Sequence, residues 1–135
     1  MLPLEGKRIF IVEDNFANRA IEQLLLEQAG AKIVYERWGT ETVKRLRQFM
    51  PVDIILLDLM FPNGVTGYRV FNDIRAHSEF QYIPIVAVSA TDPSSGIPLT
   101  QRHGFNGFIS KPVDFDRFAE QVGEVIKGQT VWQGR

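Results

Sequence analysis

The sequence predicts an α/β protein built on a doubly wound, five-stranded parallel sheet. Three observations carry that prediction. Short continuous apolar runs, such as Ile9-Phe10-Ile11-Val12 and Ile54-Ile55-Leu56-Leu57, read as strands buried on both faces. Between such runs lie segments with apolar residues at helical spacing, so the order is βα repeated five times. Right-handed crossovers then wind the helices onto both faces of a parallel sheet. The 135 residues, 44% of them hydrophobic and 23% charged, suit one domain with a real core. We place that domain at residues 1–128 and read residues 129–135 as a tail.

The elements follow in order. Ile9 to Val12 is a strand that ends in Glu13-Asp14-Asn15, and Asn15 or Asp14 can cap the next helix. That helix carries Ala17, Ala20-Ile21, Leu24-Leu25 and Gln28-Ala29 at roughly helical spacing and stops at Gly30. Ala31 to Tyr35 is a second strand. Gly39-Thr40 opens a helix with Val43, Leu46 and Met50 inward and Lys44, Arg45 and Arg47 outward, and Pro51 ends it. The central strand, Ile54 to Leu57, ends in Asp58 and then in turn chemistry, Leu59-Met60-Phe61-Pro62-Asn63-Gly64. Gly67 to Arg75 is a helix with Val70, Phe71 and Ile74 on one face. Ile83 to Ser89 is a strand with Pro84 near its start, where proline is tolerated. Pro98 to His103 reads as a short helix closed by Gly104, and Gly107 to Ser110 as the last strand. After Lys111-Pro112, Asp114 caps a helix carrying Phe115, Phe118, Ala119, Val122 and Ile126.

Composition excludes several functions. A formal net charge of −1 gives no basic field for nucleic acid or an anionic membrane. Without cysteine there are neither disulfides nor thiolate metal sites. The N-terminus lacks the pattern of a signal peptide, and no apolar stretch approaches the roughly 20 residues that span a bilayer. A cytoplasmic location and no membrane insertion are expected.

All strands of a parallel sheet present their carboxyl ends on one edge. Glu13 and Asp14 end the first strand, Asp58 the third, Ser89 the fourth, and Lys111 follows the fifth. If the first, third and fourth strands are neighbours, these groups converge. Clustered carboxylates stay ionised at neutral pH only with a cation among them, and an all-oxygen donor set suits Mg²⁺. A carboxylate beside Mg²⁺, a hydroxyl and an ammonium is a phosphoryl site, with the carboxylate as nucleophile.

These motifs resemble the receiver domain of two-component response regulators, from about Lys7 to Ile126. Glu13-Asp14, Asp58, Ser89-Ala90 and Lys111-Pro112 sit at the matching strand ends, and Gly104 to Pro112 resembles the family's approach to its last strand. The resemblance is to the stand-alone, chemotaxis-regulator type, with a flavodoxin-like fold and strand order 2-1-3-4-5. It implies that Asp58 is the phosphoacceptor. It further implies that Glu13, Asp14, Asp58 and the Met60 backbone carbonyl bind Mg²⁺, or Mn²⁺. Lys111 would pair with the phosphoryl oxygens, aimed by a Lys-Pro bond that is often cis in the family. Ser89 would swing to the phosphoryl group and Phe108 would follow it inward. Ala90 would leave room for that group, and Thr91 would influence access to it. The implied partners are a sensor histidine kinase or histidine phosphotransfer protein and a downstream protein, with no direct DNA binding and a monomer or weak dimer. Catalysis would be limited to the domain's own phosphotransfer and dephosphorylation.

Two segments depart from the family pattern. The loop Phe61 to Gly67 carries one extra residue and an additional glycine. Pro93, Gly96 and Pro98 fall where the fourth helix should run, which predicts a long loop, a helix shortened to start near Pro98, and no carry-over of the family's usual dimer mode. Trp132 lies in the tail, with folding back and partner binding both open. The rival function is a receiver-like interaction module that is never phosphorylated. An aspartyl phosphatase would want an acid where Met60 stands, and a nucleotide binder a glycine-rich loop in place of Glu13-Asp14-Asn15-Phe16.

Overall fold

A computed structural model describes residues 1–133. The elements run β1 (Arg8–Val12), α1 (Phe16–Gln28), β2 (Lys32–Glu36), α2 (Thr42–Phe49), β3 (Ile54–Leu57) and α3 (Gly67–Arg75). They continue with a 3₁₀ turn at Ser78–Phe80, β4 (Ile85–Ser89), α4 (Pro93–His103), β5 (Gly107–Ser110), α5 (Phe118–Ile126) and β6 (Val131–Gln133). All pairings are parallel and the strand order is β2-β1-β3-β4-β5-β6. The predicted order 2-1-3-4-5 is therefore present, extended by a sixth strand.

The central strands explain the sheet. Every residue of β1 from Ile9 to Val12, of β3 and of β4 is buried, so each strand needs cover on both faces. Cover comes from α2, α3 and α4 on one face and from α1 and α5 on the other. Burying one such aliphatic side chain is worth about 1.5–3 kcal/mol. The register then sets the edge that matters. Val12 lies beside Leu57, Leu57 beside Ala87, and Ser89 beside Ser110. The residues that follow, Glu13, Asp58 and Lys111, are thereby brought to one place.

Four expectations need correction. The fourth helix is not shortened: α4 begins at Pro93, capped by the Asp92 side chain accepting from Ser94 N–H at 3.0 Å. Pro93 sits at the helix start, where its missing donor costs nothing. Pro98 is tolerated inside because the carbonyl it cannot reach belongs to Ser94, and both residues face solvent. A full-length α4 also removes the ground for excluding the family's dimer mode. Second, the expected tail contributes β6, with Trp132 beside Phe108 and the Ser110 hydroxyl donating to the Gln133 carbonyl at 3.3 Å. Third, the helical spacing of apolar residues in α1 does not coincide with its buried face: the buried residues are Arg19, Glu22 and Leu26, and Leu24 is 56% exposed. Fourth, α2 buries Phe49 rather than Met50, and α5 starts at Phe118, leaving Phe115 outside.

The longer loop after β3 is compact. Met60 and Thr66 form an antiparallel bridge, and Phe61 N–H donates to the Val65 carbonyl at 3.1 Å. Asn63 ties this small hairpin to the β2–α2 loop, its side-chain amide donating to the Trp38 carbonyl at 3.3 Å.

Candidate functional site

The site is assembled at the carboxyl ends of β1, β3 and β5, at the crevice where the chain reverses its winding direction. Glu13 and Asp14 follow β1. The Asp58 backbone N–H donates to the Val12 carbonyl at 3.0 Å, which locks β3's end to β1's. Oxygens of Glu13, Asp14 and Asp58 lie within 4.8 Å of one another. The Lys111 ammonium pairs with Glu13 Oε1 and stands 3.3 Å from Asp58 Oδ2. Lys111 precedes Pro112 through a cis peptide bond.

Local bonds fix each carboxylate. Glu13 Oε2 accepts from Asn15 N–H at 3.2 Å, and Asp58 Oδ1 accepts from Leu59 N–H at 2.8 Å. Asn15 caps α1, accepting from Asn18 N–H at 2.9 Å. Gly67 gives α3 its place against the site: a Cβ there would stand 2.3 Å from the Asp58 carbonyl oxygen. Only glycine admits this approach of α3 to the phosphoacceptor candidate.

Electrostatics follow from burial. Glu13 is 2% exposed, and burial, followed by the Asp58 charge, pushes its carboxyl up to about 7 despite the opposing pull of Lys111. Burial would lower Lys111, but the carboxylates of Asp58 and Glu13 outweigh it and hold the ammonium above its ordinary value. Three carboxyl groups thus cluster here, and the one ammonium pairs with two of them, Glu13 and Asp58. That surplus of negative charge in an all-oxygen donor set fits a hard divalent cation such as Mg²⁺. Glu13, Asp14 and Asp58 are the residues that could hold it.

The remaining predicted site residues are near but differently engaged. The Ser89 hydroxyl donates to Thr91 Oγ1 at 2.8 Å and accepts from Thr91 N–H at 3.0 Å, so it is turned into its own loop. Ala90 and Met60 have exposed side chains, Met60 by 66%. Phe108 is fully buried, its ring packed so closely on α4 that a Cβ on Gly96 would stand 2.6 Å from it. Glu22, which spacing assigned to no role, is buried beside Lys111. The signal that could have found it is its place one turn before Leu26 on the inward face of α1.

Comparison with known proteins agrees with this geometry. The polar-differentiation response regulator DivK of Brucella ovis is 32% identical over 116 residues, 86% of this chain and 93% of that protein. The CAI-1 autoinducer sensor kinase/phosphatase CqsS of Vibrio cholerae is 33% identical over 117 residues. The match covers 86% of this chain but only 17% of that much longer protein. Among solved structures, the receiver domain of a Pseudomonas aeruginosa sensor histidine kinase, with a magnesium ion in its active-site cleft, superposes with a TM-score of 0.79. It covers 91% of this chain and 99% of that one at 24% identity, a likeness of fold. The response regulator receiver domain matches residues 9–123, and by that match and the near-full-length relative the chain belongs to the receiver domain family.

Proposed function

We propose that this receiver accepts a phosphoryl group on Asp58 from a phosphohistidine of a sensor histidine kinase or histidine phosphotransfer protein. Receiver domains are signalling modules that work with such kinases and with downstream proteins. One observation carries the reading: a buried carboxylate at the end of the central strand, 3.3 Å from a lysine ammonium and within reach of two further acids. An Asp58 carboxylate oxygen attacks phosphorus, the new O–P bond forms, and the P–N bond breaks. The histidine nitrogen leaves with the bonding pair and takes up a proton. Leu59 N–H holds Oδ1, and Lys111 lies beside Oδ2, where it pairs with the incoming phosphoryl oxygens. Glu13, Asp14, Asp58 and the Met60 backbone carbonyl would hold Mg²⁺ (or Mn²⁺), which when bound neutralises phosphoryl charge. Exposed apolar side chains at Phe16, Met60 and Phe115, on the segments that carry the site, supply contact for the docking donor.

Signalling follows from what the new charge displaces. Ser89 exchanges a neutral bond to Thr91 for a charge-assisted bond to the phosphoryl group, which is roughly twice as strong. Thr91 and Ala90 lead directly into α4, so that loop carries the change to a partner protein. Phe108 is already inward; its part is to hold α4 through the contact at Gly96.

Intact mass tests the reading, after incubation with phosphoramidate and Mg²⁺, with excess chelator, and with Asp58→Asn. One added phosphoryl group that requires both Mg²⁺ and Asp58 is expected. A folded wild type that gains none would overturn the proposal in favour of an unphosphorylated interaction module.

A further inference from the structure

Helix α1 turns two charged side chains inward, Arg19 at 7% exposure and Glu22 at 2%. Packing accounts for Arg19, whose guanidinium lies 4.0 Å over the Tyr35 ring and 5.3 Å over Phe16. Glu22 has no such account. Its Oε2 is buried without a hydrogen-bond partner, a state an apolar side chain of similar size would avoid.

The surroundings of Glu22 point to Lys111. The two residues line one small cleft with Asn18, Ile21, Pro112, Val113 and Phe115. The cleft measures about 20 Å³, room for a single water. A lysine ammonium carries three hydrogens, and Glu13 and Asp58 engage two of them. The charges that Glu22 feels are those of Glu13, Lys111 and Asp58.

We propose that Glu22 is a positioning residue which, through one water in this cleft, fixes the Lys111 ammonium between Glu13 and Asp58. The water accepts from Lys111 Nζ and donates to Glu22 Oε2. Burial, then the Glu13 charge, pushes the Glu22 carboxyl up to about 8, so at neutral pH it is mostly an uncharged acid. It orients Lys111 without competing with Asp58 for its charge. The inference deepens, and rests on, the reading of Lys111 as the phosphoryl-binding group.

Site-resolved acetylation of the folded, metal-free chain, read by mass spectrometry, tests it. In Glu22→Leu, Lys111 is expected to react about 3-fold faster or more, because it has lost its tether. Lys7, Lys32, Lys44 and Lys127 keep their rates, and the unfolding temperature stays equal or rises. Glu22→Gln, which can still accept from the water, leaves Lys111 near its wild-type rate. If Glu22→Leu does not fold, Glu22→Ala gives the same readout. An unchanged Lys111 rate, or a rise at all five lysines together, overturns the proposal. The measurement needs neither Mg²⁺ nor a phosphodonor, so the Lys111 rate is informative whether or not Asp58 accepts a phosphoryl group.

Discussion

The two faces of the sheet are built on different terms. Beneath α2, α3 and α4 the core is aromatic, with Phe10, Phe49, Phe71, Phe80, Phe105 and Phe108. Among the described residues its buried polar side chains have partners. Glu36 accepts from Trp38 N–H at 2.6 Å, Gly39 N–H at 2.9 Å and the Thr42 hydroxyl, and the Thr100 hydroxyl donates to the Gly96 carbonyl at 2.7 Å. Beneath α1 and α5 the core is largely aliphatic. On those two helices lie the three buried side-chain atoms without a partner among the described residues: Arg19 Nη1, Glu22 Oε2 and Gln121 Oε1. One face is closed by packing and by hydrogen-bonded polar groups. The other shares its space with the acid–lysine site and carries polar groups at a cost in stability.

That contrast can be broken or sharpened in order of effect. Phe108→Ala, on the aromatic face, should cost about 3–5 kcal/mol in urea unfolding, since a large ring leaves a cavity against α4. The second test is pH. Glu13 and Glu22 have raised values, so the folded state binds protons that the unfolded state has released. Stability is therefore full below the ordinary 4.5 and is lost as pH rises from there through about 7 for Glu13 and about 8 for Glu22, levelling off beyond. The unfolding temperature of metal-free protein should drop over that window, and Glu22→Leu should flatten the drop. Third, Gln121→Leu removes an unpartnered oxygen along with the amide's bond to Gln133, and should be near neutral in urea unfolding. Thr100→Val on the satisfied face should instead lose about 1 kcal/mol. Smallest is Glu79→Ala. Its bridge to Arg47 is 2.6 Å long but both side chains are nearly half exposed and screened by water, so the loss should not be resolved in urea unfolding. A resolved loss would mean that the helical surface contributes as the cores do.

On the satisfied face α3 is the most legible element in sequence. Val70, Phe71 and Ile74 announce α3, and its bounds agree with the structure. The acids and Lys111 are legible because each follows a continuous apolar run, and parallel register does the rest. Helix α1 is misread when apolarity stands in for burial: Ala20 and Leu24 face water while Arg19 and Glu22 face the core. Only the position of Lys111, far along the chain, gives Glu22 a reason to be there. Helix α4 is cut short if Pro98 is treated as a breaker, when the carbonyl it strands is open to solvent. Strand β6 has three half-buried residues and no apolar run, so its pairing with β5 depends on a rim that local sequence cannot show.

That last strand bears on how the protein can be handled. Without Val131–Gln133, the backbone amides and carbonyls of Gly107 to Ile109 would form an unpaired rim beside the fully buried Phe108. Such a rim is a template for the strand of another molecule. A truncation at Gly128, or a fusion partner that pulls residues 131–133 away, would convert an interior strand into an adhesive border. Any tag is therefore better placed ahead of Met1 than after β6.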